Sequence, residues 1–317
     1  MSDVSAASVT DRLRDSRARS PVPCTPRIPR RMEEELVFPL ASAAEASQVG
    51  EMRGLLHEEL APLPSNHFPD VTGDLRLLRF LRGFDHSVPL AVGAVREMLA
   101  MRQRYGMDAL HERWACVPCH HITGGFPHQE SVLRFKPGLP TVGMSLHGYP
   151  IAYEPLRLQQ YGRMLEEIGE QGMLDFYCAQ CESRMHQLHS LSEKQGRMVK
   201  MILVIDLRAV SVWQLVSRRW AKYDETYQKC INRSLAEALA QVYIINSPSW
   251  AVAFYKRIKW WIPANTQRKI RLLGTDCEPE LLQVMSPEVL HAMLHAFTPD
   301  GKLAAPPRAH VAAEAVS

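Results

Sequence analysis

The sequence has no apolar run approaching the ~20 residues that a membrane-spanning helix requires. Its first residues show no apolar core of the kind that marks a secretory signal. Neither a spanning nor an exported protein is expected, and the seven cysteines, an odd number, are expected as reduced thiols in the cytoplasm. No Gly-x-Gly-x-x-Gly follows an apolar run and no Gly-x-Ser-x-Gly occurs, so dinucleotide enzymes and serine hydrolases lack their fingerprints. A net charge of +3 over 317 residues is too small to argue for nucleic-acid binding. One absence is local: no Asp or Glu lies between positions 241 and 275.

What fills that acid-free stretch is ordered by type. The run VYII at 242–245 breaks at Asn246-Ser247-Pro248, which reads as a buried strand and its exit turn. Trp250, Phe254, Ile258 and Trp261 then recur at helical spacing, with Lys256, Arg257 and Lys259 on the polar side. After Pro263 a second basic cluster, Arg268-Lys269-Ile270-Arg271, opens another apolar run. Such a helix fits either a core element with a solvated basic face or a membrane-surface element. Trp250, Trp260 and Trp261 are three of the chain's six tryptophans, which favours the surface.

Around this stretch, residues 1–44 alternate Pro21, Pro23, Pro26 and Pro29 with Arg27, Arg30 and Arg31, and a disordered tail is expected. Helical spacing covers 46–60. Asp74 caps LRLLRFLRGF, with Leu75, Leu78 and Leu81 on one side and Arg76, Arg79 and Arg82 on another, expected as a solvated face. Ser87 and Pro89 start the next helix. The Gly-, Pro- and His-rich segment 114–140 reads as loop with a strand candidate at 131–135. A strand follows at 149–153 and a helix at 165–189. MVKMILVIDL, at 198–207, is apolar on both faces and implies a strand covered on both sides. A helical pattern from 212 to about 240 separates it from the next strand, the β-α-β order of parallel pairing.

Several short matches carry little. Cys116-Val-Pro-Cys119-His120 spells a haem attachment without an export context, and Cys178 to Arg184 has a phosphatase spacing without the glycines of an anion nest. His120, His121 and His128 read as surface histidines of a loop. No catalysis, metal or cofactor is expected.

VYIINSPSWAVAFYKRIKWWIPANTQRKIRLLG resembles the second half of a CRAL-TRIO domain, the lipid-exchange fold of phosphatidylinositol transfer proteins and of tocopherol and retinaldehyde carriers. Strand, Asn-(small)-Pro turn, gate helix, proline-bearing loop and Lys-Ile strand occur in order. MVKMILVIDL is similar to the family's apolar-run-then-Asp-Leu signature, and LLRFLRGF to its helical lead-in. The likeness covers roughly 46–290. It departs at Tyr149, where Arg is usual, at Leu235-Ala236 in place of Tyr-Pro, and in lacking the Gly-Gly ending.

The resemblance implies an α/β fold: a helical lead-in at 45–110, then at 111–297 a mixed, mainly parallel sheet flooring an apolar pocket, and a loose tail at 298–317. Met201, Leu203, Ile205, Tyr243 and Ile245 would line that pocket, and the gate helix at 250–262 would close it. The gate would meet the membrane through Trp250, Phe254, Ile258, Trp260, Trp261, Lys256, Arg257 and Lys259. Glu237 and Lys269 would meet the ligand headgroup, the carboxylate accepting from inositol hydroxyls and the ammonium facing a phosphate. The hydroxyl positions of phosphatidylcholine binders fall on Met201 and Leu203, and a basic lead-in position falls near Asp85. The expected function is binding and exchange of phosphatidylinositol or another phosphoinositide by a cytoplasmic monomer that visits membrane surfaces. A carrier of an isoprenoid-like molecule and a lipid-sensing adaptor are the alternatives.

Overall fold

The computed structural model describes residues 37–61, 68–114, 126–211, 235–259 and 264–298, together with 302 and 304. Its first helix, α1 (Ala43–Leu55), starts at a capping box. The Ser42 hydroxyl accepts from the Glu45 N–H while the Glu45 carboxylate accepts from the Ser42 N–H. The short helices α2 (His57–Leu60) and α3 (Pro69–Thr72) follow, then α4 (Asp74–Gly83), α5 (Val88–Arg104) and α6 (Met107–Trp114). They close around Met52, Leu56, Leu77, Phe80, Leu81, Val92 and Val95, so the apolar side of each helix is where its spacing puts it.

The arginine row of α4 is a correction. Arg79 is 1% exposed and Arg76 4%, not a solvated face. Arg79 donates to the carbonyls of Val199 (2.6 Å) and Glu237 (3.1 Å). Arg82 pairs with Glu45 at 2.7 Å and donates to Pro39 O at 2.9 Å. Arg79 and Arg82 are kept in place by oxygen acceptors, whereas Arg76 is buried with its guanidinium 5.2 Å from the centre of the Phe80 ring.

The tail boundary is also corrected. The Met198 N–H donates to Phe38 O at 2.9 Å, the Phe38 ring lies 6.2 Å from that of Tyr149, and Pro39 bridges Arg197. Residues 37–42, expected within the tail, therefore form a strap on the domain.

The strand expected at 131–135 is instead part of a helix, α7 (Gln129–Phe135). Val132 and Phe135, three apart, are its buried residues, and Ser131 and Arg134 reach Glu167 one turn apart. The period is that of a helix, and Gln129, Glu130 and Leu133 are helix formers.

Five strands make one sheet in the order β1 (Leu139–Met144), β2 (Pro150–Pro155), β3 (Met201–Asp206), β4 (Leu239–Ile245), β5 (Ile270–Leu272). β1 is antiparallel to β2 and every other pair is parallel, the mixed sheet expected. Between β2 and β3 runs α8 (Tyr161–Gln195), interrupted at Gly169, whose φ of 68° favours glycine. Of the helix expected over 212–240, residues 212–234 lie outside the described residues and the end is corrected. Residues 235–238 form a turn, and Leu239 already pairs with Met201. Ladder pairing of a buried apolar run outweighs the local helix preference of Leu235-Ala236-Glu237-Ala238.

After β4 come α9 (Ser249–Ile258) and α10 (Ala264–Lys269), and after β5 come α11 (Glu278–Leu281) and α12 (Pro287–Leu294), the last capped by Ser286. Helix α12 lies so close to β1 that a Cβ at Gly143 would stand 2.9 Å from Val289. At the expected loose tail, the Ala304 N–H returns to Ala296 O at 2.8 Å. Among the described residues no helix is long and apolar enough to cross a membrane.

Candidate functional site

Parallel strands bring their amino ends to one edge of a sheet, and here each of three neighbouring strands is preceded by a charged residue. Lys200 precedes β3, Glu237 lies in the turn before β4, and Lys269 precedes β5. Lys269 Nζ donates to Glu237 Oε1 at 2.7 Å, and Lys200 Nζ donates to Oε2 of the same carboxylate. The two residues assigned to a headgroup are thus joined across the sheet edge. Lys200 is the member that sequence reading missed. Its signal was present, since it opens MILVID as Lys269 opens IRL.

The site is strained and nearly closed. Glu237 has φ 49°, a left-handed conformation unusual for a residue with a Cβ. Arg79 fixes that backbone by donating to its carbonyl. The Glu237 side chain is 5% exposed, that of Lys200 3% and that of Lys269 15%. Burial would raise the Glu237 pKa, but the charges of Lys200 and Lys269 and their hydrogen bonds outweigh it and hold it at about 2. Burial pushes Lys200 down to about 8, and its share of the Glu237 charge does not compensate, because Lys269 and Arg79 repel it. One carboxylate serves three cations, and the edge is left with surplus positive charge.

The sheet above this edge has two unlike faces. Register pairs Ala152 with Leu203, Leu203 with Val242, Ile205 with Ile244, Val242 with Ile270 and Ile244 with Leu272, so these residues share one face. Leu203, Ile205, Ile244, Ile270 and Leu272 are all only partly buried. A cavity of about 70 Å³ lies between this face and α8, lined by Met201, Leu203, Ala152, Phe176 and Cys181, with Lys136, Glu154 and Arg184 among its polar residues. Ile205 lies further along, under Trp250 and Ala251 of α9. Tyr243 and Ile245 are corrected. They pair with Val204 and Asp206 on the opposite face and are fully buried. Burial, with the Glu280 charge of α11 beside it, pushes the Tyr243 phenol up to about 12.

Two motif residues have structural tasks. Asp206 Oδ2 accepts from the Tyr153 hydroxyl at 2.9 Å and Oδ1 from Asn246 Nδ2 at 2.8 Å. The Asp-Leu end of β3 thereby anchors the Asn-Ser-Pro turn from which α9 departs.

Helix α9 carries Ala251 buried, Trp250 and Phe254 half-buried, Val252 39% exposed, and Lys256 and Lys259 exposed. Among the described residues neither lysine has an ion-pair partner. Arg257 and Ile258 continue the helical backbone, and Trp260 and Trp261 lie outside the described residues.

A mainly parallel sheet with one partly covered apolar face beneath a short basic helix defines an α/β fold with room for an apolar ligand. The chain carries a CRAL/TRIO domain, matched over residues 141–294. It is 23% identical over 223 residues to "Protein real-time" of Aedes aegypti, covering 67% of this chain and 31% of that protein. It is 22% identical over 221 residues to "Phosphatidylinositol/phosphatidylcholine transfer protein SFH9" of Arabidopsis thaliana, covering 69% of this chain and 36% of that one. The chain thus spans about a third of the length of the curated relatives it matches. The solved structure of Sfh5 superposes with a TM-score of 0.51 at 14% identity, over 77% of this chain and 85% of that one, which shows the shared fold. The match begins at 141 and leaves the lead-in outside it.

Proposed function

We propose that the protein binds phosphatidylinositol or another phosphoinositide and exchanges it between membranes, without chemistry on the lipid. The observation that carries this reading is the Lys200–Glu237–Lys269 cluster at 2.7 Å between Lys269 and Glu237. It offers a carboxylate that accepts from ring hydroxyls and a surplus of positive charge for a phosphate. The transfer activity in the SFH9 name supports it, as does the partly covered apolar face. Each CH₂ withdrawn from water contributes about 0.8 kcal/mol, so acyl chains over Leu203, Ile205, Ile244, Ile270 and Leu272 supply most of the affinity and the headgroup contacts select.

A carrier of a smaller isoprenoid-like molecule is the second reading. The cavity of about 70 Å³ favours it, being well below the ~300–1,000 Å³ of ordinary ligand pockets. In the first reading, a diacyl lipid is admitted by outward movement of α9, which covers Ile205 and Ile244 on the same sheet face. Mass spectrometry of the copurified lipid, with vesicle-to-vesicle transfer by wild type, Lys269→Ala and Glu237→Ala, separates the readings. Phosphatidylinositol is expected in the extract, with transfer reduced in both variants. An isoprenoid in the extract with transfer of phosphatidylinositol unchanged in both variants sinks the proposal. A chain that binds lipid and transfers none is an adaptor.

A further inference from the structure

Where the lead-in meets α8, three potential ligands converge from three helices. Asp70 of α3, His111 of α6 and His186 of α8 have donor atoms all within 4.8 Å of one another. His111 Nε2 stands 3.3 Å from Asp70 Oδ1, and His186 Nδ1 stands 3.7 Å from Asp70 Oδ2. In a tetrahedral shell with bonds of about 2.0–2.1 Å, neighbouring ligand atoms are about 3.3–3.4 Å apart. The two pairs with Asp70 stand at or near that spacing, and His186, with its side chain 41% exposed, is the member with room to adjust.

A second observation points to an occupant. Asp70 is 4% exposed, yet among the described residues its Oδ2 has no hydrogen-bond partner, nor has the buried Nδ1 of His186 that faces it. Two buried polar atoms aimed at each other without a bond are costly unless something sits between them. Behind them, His111 Nδ1 lies 2.6 Å from Glu182 Oε2, and Arg102 donates to Glu182 Oε1 at 2.6 Å. A carboxylate on the far ring nitrogen of a ligating imidazole fixes its tautomer and strengthens it as a ligand.

We propose that Asp70, His111 and His186 bind a divalent transition metal of the zinc type, with Glu182 orienting His111 and the fourth position open. Two imidazoles and one carboxylate are donors suited to Zn²⁺. The ion ties α3 and α6 of the lead-in to α8 of the lipid-binding domain. Sequence reading considered His120, His121 and His128 and missed this set, because its members lie 41 and 75 residues apart along the chain (70 to 111, 111 to 186).

The test uses the full chain in a Cys116→Ser/Cys119→Ser background, so that zinc bound by that Cys-x-x-Cys pair is not counted. The chelator-stripped protein is titrated with Zn²⁺ by calorimetry and with Co²⁺ by visible absorption. One ion per chain is expected, with a thermal midpoint that rises on loading. His186→Ala, at a side chain 41% exposed and so tolerated by the fold, weakens affinity at least tenfold and abolishes the midpoint rise. Glu182→Gln weakens it about 10- to 100-fold and alters the Co²⁺ spectrum. Absence of Zn²⁺ binding in the background protein, or equal binding by it and His186→Ala, overturns the site. His111 is then a protonated ring clamped between two carboxylates.

Discussion

Glu237 decides what the amino edge of the sheet does, because among the described residues it is the acid that pairs with Lys200 and Lys269 and whose carbonyl takes Arg79. Its folded-state pKa of about 2 lies below the ordinary carboxyl value of 4.5, so between those values the unfolded chain binds the extra proton. The stability from ionised Glu237 is therefore complete above about pH 4.5 and lost as pH falls toward 2. Glu237→Gln should lower stability at neutral pH by about 3–5 kcal/mol, since it leaves buried ammonium groups unpaired. It should also flatten the midpoint-versus-pH curve in the acid window, where wild type falls steeply. Curves of equal slope would show that the pair contributes nothing to acid sensitivity. At this scale Glu237 and Lys269 were legible only through the family's register, because nothing local says that residues 32 apart meet. Lys200, with the same relation to its strand, was hidden by lying in a separate motif.

Helix α9 was legible as an element because i, i+4 spacing and the Asn-Ser-Pro turn are local signals. The arginine row of α4 has equally clear spacing and was misjudged. Periodicity separates two sides of a helix, but it does not tell which side the rest of the chain occupies. On α9 the exposed lysines face outward from the apolar sheet face, at the end nearest Trp260 and Trp261. Each basic residue near an anionic surface contributes about 1 kcal/mol, and the indoles favour the interface. Lys256→Glu/Lys259→Glu should weaken binding to anionic vesicles by at least about tenfold and remove most of its salt dependence, while neutral vesicles bind as before. Trp260→Ala/Trp261→Ala should slow transfer with lipid already bound left in place. Binding that ignores both pairs of substitutions would make α9 a plain core helix.

For the whole molecule, the apolar runs announced the strands but not which way each side chain faces. A slip of one residue inverts every face, which is why Tyr243 and Ile245 were expected in the pocket and lie behind it. The same long-range blindness concealed the strap. Val37, Phe38, Pro39 and Leu40 adjoin a Pro- and Arg-rich segment and share its poverty of helical or strand pattern. Their order comes from partners far along the chain. Phe38 O accepts from Met198, the Phe38 ring lies 3.7 Å under Lys200 Nζ, and Arg82 donates to Pro39 O. Two truncations then have different outcomes. Removal of 1–36 should leave the thermal midpoint and lipid loading nearly unchanged, since that composition cannot bury a core. Removal of 1–44 deletes the Ser42 cap, worth about 1 kcal/mol, and the half-buried Phe38, worth about as much again. A loss of about 2 kcal/mol in a domain of this size lowers the midpoint by about 4–8 °C. Because Phe38 covers Lys200, the longer truncation should also wet the headgroup cluster and reduce phosphatidylinositol loading, which a loss of stability alone would not do below the midpoint. Thermal melts and lipid extraction on both truncations check this, and equal behaviour of the two would show that the strap bears neither load.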